Sequence, residues 1–252
     1  MSTLLLRLAA PMQSWGSASK FDRRLTETAP TKSGVVGMLA CALGIRRGDS
    51  LSIFDAVTYG VRIDQAGELG MDFQMAHEQK NSKNLTSWVT YRYYLLDAVF
   101  LAGIEGKQEF LEEIEQALYH PMFPLYLGRR SCPPVGPISL GIRDKNLRDA
   151  LKEEPWNAAC WYINRAKKIG KTFLEIVRDA AHDEEKNTYS VRDVPVTFSQ
   201  GKRIYRFRNV IREQVPLINI SQDSANDPVA VNTLTNHDPM ELLEENNVSI
   251  EN

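Results

Sequence analysis

Four short segments of this chain combine residue types that could hold a phosphate or a nucleobase. The first runs Leu127-Gly128-Arg129-Arg130-Ser131-Cys132-Pro133-Pro134-Val135-Gly136-Pro137. A glycine lets backbone come close to a ligand, and successive N–H groups can line an anion. Arg129 and Arg130 add planar donors that match phosphate oxygens, and Ser131 adds a hydroxyl. The prolines stiffen the loop and lower the entropy lost on binding. A surface loop with two solvated arginines explains the same residues, and both readings stay open. The second segment, Thr31-Lys32-Ser33-Gly34, lies where a helix is expected to start. Free N–H groups there attract phosphate, with Lys32 and the hydroxyls assisting; ordinary capping is the simpler account. In the third, Pro11-Met12-Gln13-Ser14-Trp15-Gly16, Trp15 and Met12 could stack on an unstacked base and Gln13 could read an edge. Its alternative is a tryptophan that anchors a loop onto the core. The fourth, Lys202-Arg203-Ile204-Tyr205-Arg206-Phe207-Arg208 with Arg212, interleaves cations and aromatics as single-stranded nucleic acid favours; a strand with one basic solvent face has the same pattern. Arg46-Arg47 is a weaker case.

Catalytic constellations are sparse. His77, His120, His182 and His237 are isolated, and none falls in a metal-binding spacing. No nucleophile elbow and no phosphate-binding Walker loop occurs. Glu112-Glu113-Glu115 reads as a solvated helix face, because a carboxylate pair needs burial to act as acid and base. No metal and no cofactor is expected.

These segments must be positioned by a scaffold, and hydrophobic periodicity indicates one. Thr3–Ala9 is a short apolar run ended by Pro11 and reads as a buried strand. Met12–Ala29 reads as a loop. A helix starts at Pro30–Ser33, carries Val35, Val36, Met38, Leu39, Ala42 and Leu43 at helical spacing, and stops at Gly44. Ala56–Ile63 is a strand. Asp64–Ser87 is a polar excursion, expected as a protruding hairpin; long loops are often functional. Tyr91–Leu101 reads as one strong strand of aromatic and β-branched residues. Lys107–Tyr119 is an amphipathic helix with Phe110, Leu111, Ile114, Ala117 and Leu118 on one face. A strand at Ile138–Ile142 completes the order βαββαβ, which predicts an α+β, ferredoxin-like sheet with two helices on one face. Residues 144–218 are expected to form a smaller C-terminal subdomain, with helices at Asn146–Lys152 and Thr172–Ala181 and strands at Val191–Phe198 and Arg203–Phe207.

Composition sets the outer bounds. The chain has 252 residues, 43% hydrophobic and 25% charged, enough to bury a sizeable core. No apolar window reaches the roughly 18 residues of a membrane-spanning helix. Met1–Ala10 lacks a basic leading region and is interrupted by Arg7, so no signal peptide is expected. Cys41, Cys132 and Cys160 are far apart and odd in number, which fits a reducing cytoplasm rather than a disulfide framework. The net charge of −2 averages two unlike parts. Residues 219–252 carry seven acids and no lysine or arginine, and are expected to be a disordered tail; residues 1–218 carry 30 bases against 25 acids, or +5.

Together these segments resemble a known family. Leu6–Gly16 is similar to its first strand and loop, Pro30–Ala40 to its first helix, Arg92–Ala98 to the strand after its protruding thumb, and Pro124–Pro133 to its glycine-rich loop, in the same order and separation. The family is the CRISPR-associated RAMP superfamily, and within it the subunits of type I-E Cascade complexes that hold the 5′ end of the CRISPR RNA (crRNA). The likeness covers about residues 3–142. It implies a ferredoxin-like, RRM-related domain over 1–143 with a thumb at about 64–90. Such a domain caps the crRNA-bound filament, grips the 5′ handle, and neighbours the backbone and large subunits. Target DNA is met only through the assembled complex. It also implies that Lys32, Arg92, Arg129 and Arg130 contact phosphates, that Gly128 and Ser131 give close backbone approach, and that Met12, Gln13 and Trp15 border handle bases. Ser14, Ser33 and Arg46 complete the expected RNA-contacting set. A purely binding role is the leading expectation. Relatives in type I-C cleave the precursor RNA themselves without metal, and that chemistry would fall to His77 or Tyr91. A protein scaffold without RNA contact is the third reading.

Overall fold

The computed structural model describes residues 1–16, 22–81, 84–181, 184, 187–199, 201 and 203–217. The acidic stretch 219–252, Lys202, His182 and His237 lie outside the described residues. In chain order the elements are β1 (Ser2–Ala9), β2 (Met12–Gln13), β3 (Arg23–Arg24), α1 (Lys32–Ala42), β4 (Thr58–Gln65), β5 (Glu68–Asn81), β6 (Asn84–Leu96), β7 (Val99–Gly106), α2 (Gln108–Tyr119), β8 (Ser139–Arg143), α3 (Leu147–Glu153), α4 (Cys160–Lys168), β9 (Phe173–Asp179), β10 (Tyr189–Thr197) and β11 (Ile204–Pro216).

β1 explains why the chain begins with an unbroken apolar run. Its side chains alternate between two covered faces, so nearly every position is apolar. Leu4, Leu6 and Leu8 enter the core beneath α1 and α2, whereas Leu5 joins Leu101 in a second core. β1 pairs antiparallel with β7 and β8, and β7 pairs antiparallel with β4. The resulting order β4-β7-β1-β8, with α1 and α2 on one face, is the expected βαββαβ sheet. Thr31 caps α1 by accepting the Gly34 N–H (3.2 Å).

Residues 144–217 extend this sheet rather than starting another. β9, β11 and β10 add to its β4 edge and bring it to seven strands. Leu147, Ala150, Leu151, Trp156 and Ala166, from α3, α4 and their connection, close the second core against Leu174, Ile176 and Val215. Arg62 on β4, fully buried, pins this layer. Its guanidinium pairs with Asp64 (2.6 and 3.0 Å) and donates to the carbonyls of Leu151, Glu154 and Pro155 (2.6–2.7 Å). The segment expected as a helix at Thr172–Ala181 is strand β9: Leu174 and Ile176 alternate inward, and its backbone pairs with both β4 and β11. Helix α4 had no counterpart in the sequence reading.

The strand expected at Tyr91–Leu101 is two strands in two sheets. Asp97 takes a left-handed conformation (φ +57°), an arrangement Asp tolerates better than most side chains, and the chain turns there from β6 into β7. β5 and β6 form the protruding hairpin in register Glu68↔Leu96 to Asn81↔Asn84. At its root β6 also pairs with β2 (Met12↔Leu96) and, in parallel, with β3 (Arg24↔Arg92). The hairpin therefore spans 68–96, starting and ending a few residues later than the expected 64–90. Among the described residues no helix is long and apolar enough to cross a membrane.

Candidate nucleic-acid interface

Half of the expected contact residues serve the protein's own packing. Gln13 is fully buried. Its Nε2 donates to the carbonyls of Leu8 (3.1 Å) and Ala98 (2.7 Å), and its Oε1 accepts from Trp15 Nε1 (3.1 Å). With donor and acceptor both engaged, no base edge can be read by Gln13. Trp15 is likewise buried in the core, against α1, so closely that a Cβ on Gly34 would lie 2.7 Å from the indole. The core-anchor reading of Trp15 holds, and base stacking by it does not. Ser14 is buried too and donates to the Tyr93 carbonyl (3.2 Å).

The start of α1 does bind an anion, but an internal one. Asp193 Oδ2 accepts the Lys32 N–H (2.8 Å), taking the place expected for a phosphate. Lys32 is buried, and its Nζ bonds to Asp179 (2.9 Å) and the Val57 carbonyl (3.0 Å). Arg208 closes the network onto Asp193 (2.6 and 2.8 Å) and Asp179 (2.6 Å). Burial by itself would lower the Arg208 pKa, but the two carboxylates hold it above the ordinary guanidinium value. Beneath Arg208, burial pushes the Tyr59 phenol well above its usual range, and its hydroxyl donates to the Pro30 carbonyl (2.8 Å). Ser33 is buried beside the Thr31 hydroxyl (3.4 Å). In the fourth segment three of the described cations are likewise paired: Arg206 with Asp55, Arg208 as above, and Arg212 with Glu175 (2.9 Å).

Gly128 is required by the chain itself. Its φ is +85°, and a Cβ there would fall 1.6 Å from the Ser14 carbonyl oxygen. The close approach expected toward a ligand is made to the protein's own backbone. The loop it belongs to is stitched to the region after β2 by the Ser14 N–H and the Leu127 carbonyl (3.2 Å).

What remains forms one group at the thumb root. Arg92 lies on β6 beside Arg24 on β3, and the register puts Tyr94 and Leu96 on the same face of β6. Arg129 reaches across from its loop. Its guanidinium stacks over the Tyr94 ring (4.7 Å) and Nη2 donates to the Arg24 carbonyl (2.7 Å). Arg23, Arg24, Arg130 and Ser131 are exposed, and Met12 is partly so on β2. The buried Arg92 Nε and Arg129 Nη1 have no hydrogen-bond partner among the described residues. Buried donors are nearly always paired, so Arg92 and Arg129 are two guanidinium groups whose hydrogen bonding the described chain leaves incomplete. Arg23 and Arg24 were missed because Met12–Ala29 reads as a featureless loop; their adjacency was the available signal. Arg46, exposed in the loop after α1, has its backbone N–H turned to Asp49 (2.8 Å).

A ferredoxin-like sheet with a thumb and a basic loop at its root defines a RAMP-type protein. The family model described as CRISPR-associated protein (Cas_Cas5) matches residues 3–211. This chain belongs to the Cas5 family of CRISPR-associated proteins. It is 34% identical over 158 residues to the CRISPR system Cascade subunit CasD of Escherichia coli strain K12, a match over 56% of this chain and 70% of that protein. It is similar in structure to a chain of a CRISPR RNA-guided surveillance complex, with a TM-score of 0.72 and 30% identity, over 89% of this chain and 95% of that one. A crystal structure of a Cas protein gives a TM-score of 0.68 and 36% identity, over 87% of this chain and 98% of that one.

Proposed function

We propose that this chain is the non-catalytic subunit of a type I-E Cascade complex that grips the crRNA 5′ handle and caps the backbone filament, beside the backbone and large subunits. The observation that carries the reading is the pair of unpartnered guanidinium nitrogens on Arg92 and Arg129, set among Arg24, Arg130 and Ser131 at the thumb root. Phosphate contacts of this kind position a strand, and bases held beside them give specificity. The small surplus of +5 over residues 1–218 fits a few placed contacts rather than adhesion by bulk charge.

The test is Arg92→Ala plus Arg129→Ala, co-expressed with a repeat-spacer RNA and the other subunits. The variant is expected to load less RNA, and the slope of log affinity against log salt should fall by about 1.4, two single-strand phosphate contacts. Unchanged loading and slope would overturn the binding reading. The endoribonuclease alternative has its own arm: metal-free, specific cleavage of repeat RNA by the purified chain would displace the non-catalytic role. His77, on the thumb with Nδ1 2.8 Å from Ser87 Oγ, and Tyr91, edge-on to Phe73, are the residues to substitute in that event.

A further inference from the structure

A cavity of about 520 Å³ opens at the thumb root, beyond the arginine group. Its volume lies within the range of small-ligand sites. One wall is a stripe of α4 and the turn after it. Trp161, Arg165 and Ile169 follow at i, i+4 and i+8, so they share one side of the helix and its continuation. All three are exposed, with Trp161 at 51% and Ile169 at 74%, whereas Ala166 is buried in the core behind them. The Trp161 ring is held at 88° to Tyr162, with centroids 5.7 Å apart. Lys171 also lines the cavity, its ammonium 5.4 Å from the Tyr162 ring centroid. Leu96, Glu68 and Asp97, from the thumb root, also line it.

This set is mixed in a particular way. An accessible indole offers a stacking plane. Two cations offer donors to an anion. Two carboxylates offer acceptors alone, which suit amino groups on a base edge. An acidic peptide side chain engages only the cations and a basic one only the carboxylates, whereas a nucleotide carries a phosphate for the first and an amino group for the second. We propose that the cavity binds a nucleobase with its attached phosphate. Trp161 stacks the base, Glu68 and Asp97 accept from its exocyclic amino group, and Arg165 and Lys171 take the phosphate. Adenine, guanine and cytosine carry such an amino group and uracil does not, so uridine is the disfavoured base. The nucleotide can be free or part of an RNA strand. Arg92, Tyr94 and Leu96 share one face of β6, so a strand held at the arginine group is led about 13 Å along it to the cavity. Only that second source rests on the proposed RNA-binding role.

The test titrates the full chain with 5′-AMP, 5′-GMP, 5′-CMP and 5′-UMP, and with an eight-nucleotide single-stranded RNA labelled for anisotropy, while following tryptophan fluorescence. Quenching by the mononucleotides identifies a free nucleotide as sufficient; quenching by the octamer alone identifies a strand. In either case Trp161→Ala is expected to weaken binding by roughly tenfold to a hundredfold. Glu68→Gln plus Asp97→Asn is expected to narrow the preference over uridine, and Asn tolerates the left-handed backbone at 97. Should Trp161→Ala leave every probe's affinity unchanged, the proposal fails. It also fails if that variant binds RNA normally but loses another protein subunit, because the cavity is then a protein dock. Because Arg92 and Arg129 are intact in these variants, failure here leaves the arginine-group reading standing.

Discussion

Gly128→Ala separates a loop shaped for a ligand from a loop shaped by its own chain. Two costs add at this position. An L-residue at φ +85° carries about 1–2 kcal/mol of left-handed strain. The new Cβ would also sit 1.6 Å from the Ser14 carbonyl oxygen. Ordinary carbon–oxygen contact is about 3.3 Å, so backbone must move by roughly 1.7 Å. Forced repacking of that kind costs a further 1–3 kcal/mol or so. Gly136→Ala is the internal control: its φ is +75°, but its nearest obstacle is Arg7 Nη1 at 3.7 Å, so only the strain remains. We expect Gly128→Ala to destabilise by about 2–5 kcal/mol and Gly136→Ala by about 1–2 kcal/mol. In urea denaturation this moves the midpoint by roughly 1–2 M for the first and by about half of that or less for the second. Equal midpoints for the two variants would refute the collision. If Gly128→Ala kept wild-type stability and lost RNA affinity, the glycine would be serving a ligand after all.

Lys32→Met should lower stability by about 2–4 kcal/mol in the same assay, because Asp179 loses a buried cation, while RNA affinity of the folded protein stays unchanged. Arg62→Leu leaves Asp64 buried without its partner and should cost about 3–5 kcal/mol, read as a lower urea midpoint. Glu184 is held down to about 2 by the hydrogen bond from Arg178, with the Ala181 N–H assisting. Its stabilising contribution is therefore whole above its ordinary 4.5 and is lost as pH falls toward 2, so the stability gap between wild type and Glu184→Gln should shrink across that window. A gap that is constant with pH would show that the ion pair with Arg178 contributes nothing.

The ferredoxin-like core was legible because its elements announce themselves locally. β1 is an apolar run with a proline after it, and α2 repeats its apolar residues at helical spacing. Where a single residue redirects the chain, periodicity fails. Asp97 sits inside a continuous β-prone stretch, and only its left-handed backbone shows that Leu96 and Val99 belong to different sheets. In β9 the short stretch Phe173–Asp179 satisfies helical and strand spacing alike, and the choice is made by pairing with β4 and β11. The candidate site was half legible for a related reason. Gln13, Lys32 and Gly128 were recognisable as residues with a special task, but their partners are Ala98, Asp179 and Ser14, which local sequence does not bring near. Residue type signals that a demand exists, whereas the fold decides whether the chain or a ligand meets it. Arg92 and Arg129 are the cases in which the chain leaves part of that demand open.

The thumb has a mechanical consequence. β6 pairs with β2 and β3 only from Tyr91 onward, so its residues 84–90 form, with the facing part of β5, an arm of about 24 Å beyond a short root. A rotation of ten degrees at that root sweeps the far end through about 4 Å, close to the spacing between neighbouring strands. Aim at the tip is therefore set by stiffness at the base, where Gln13 joins the carbonyls of Leu8 and Ala98 across the two sheets. Gln13→Leu would loosen that joint without touching any exposed surface. Its effect should be sought far from residue 13, as a wider spread of tip positions and a slower docking of whatever the tip must reach.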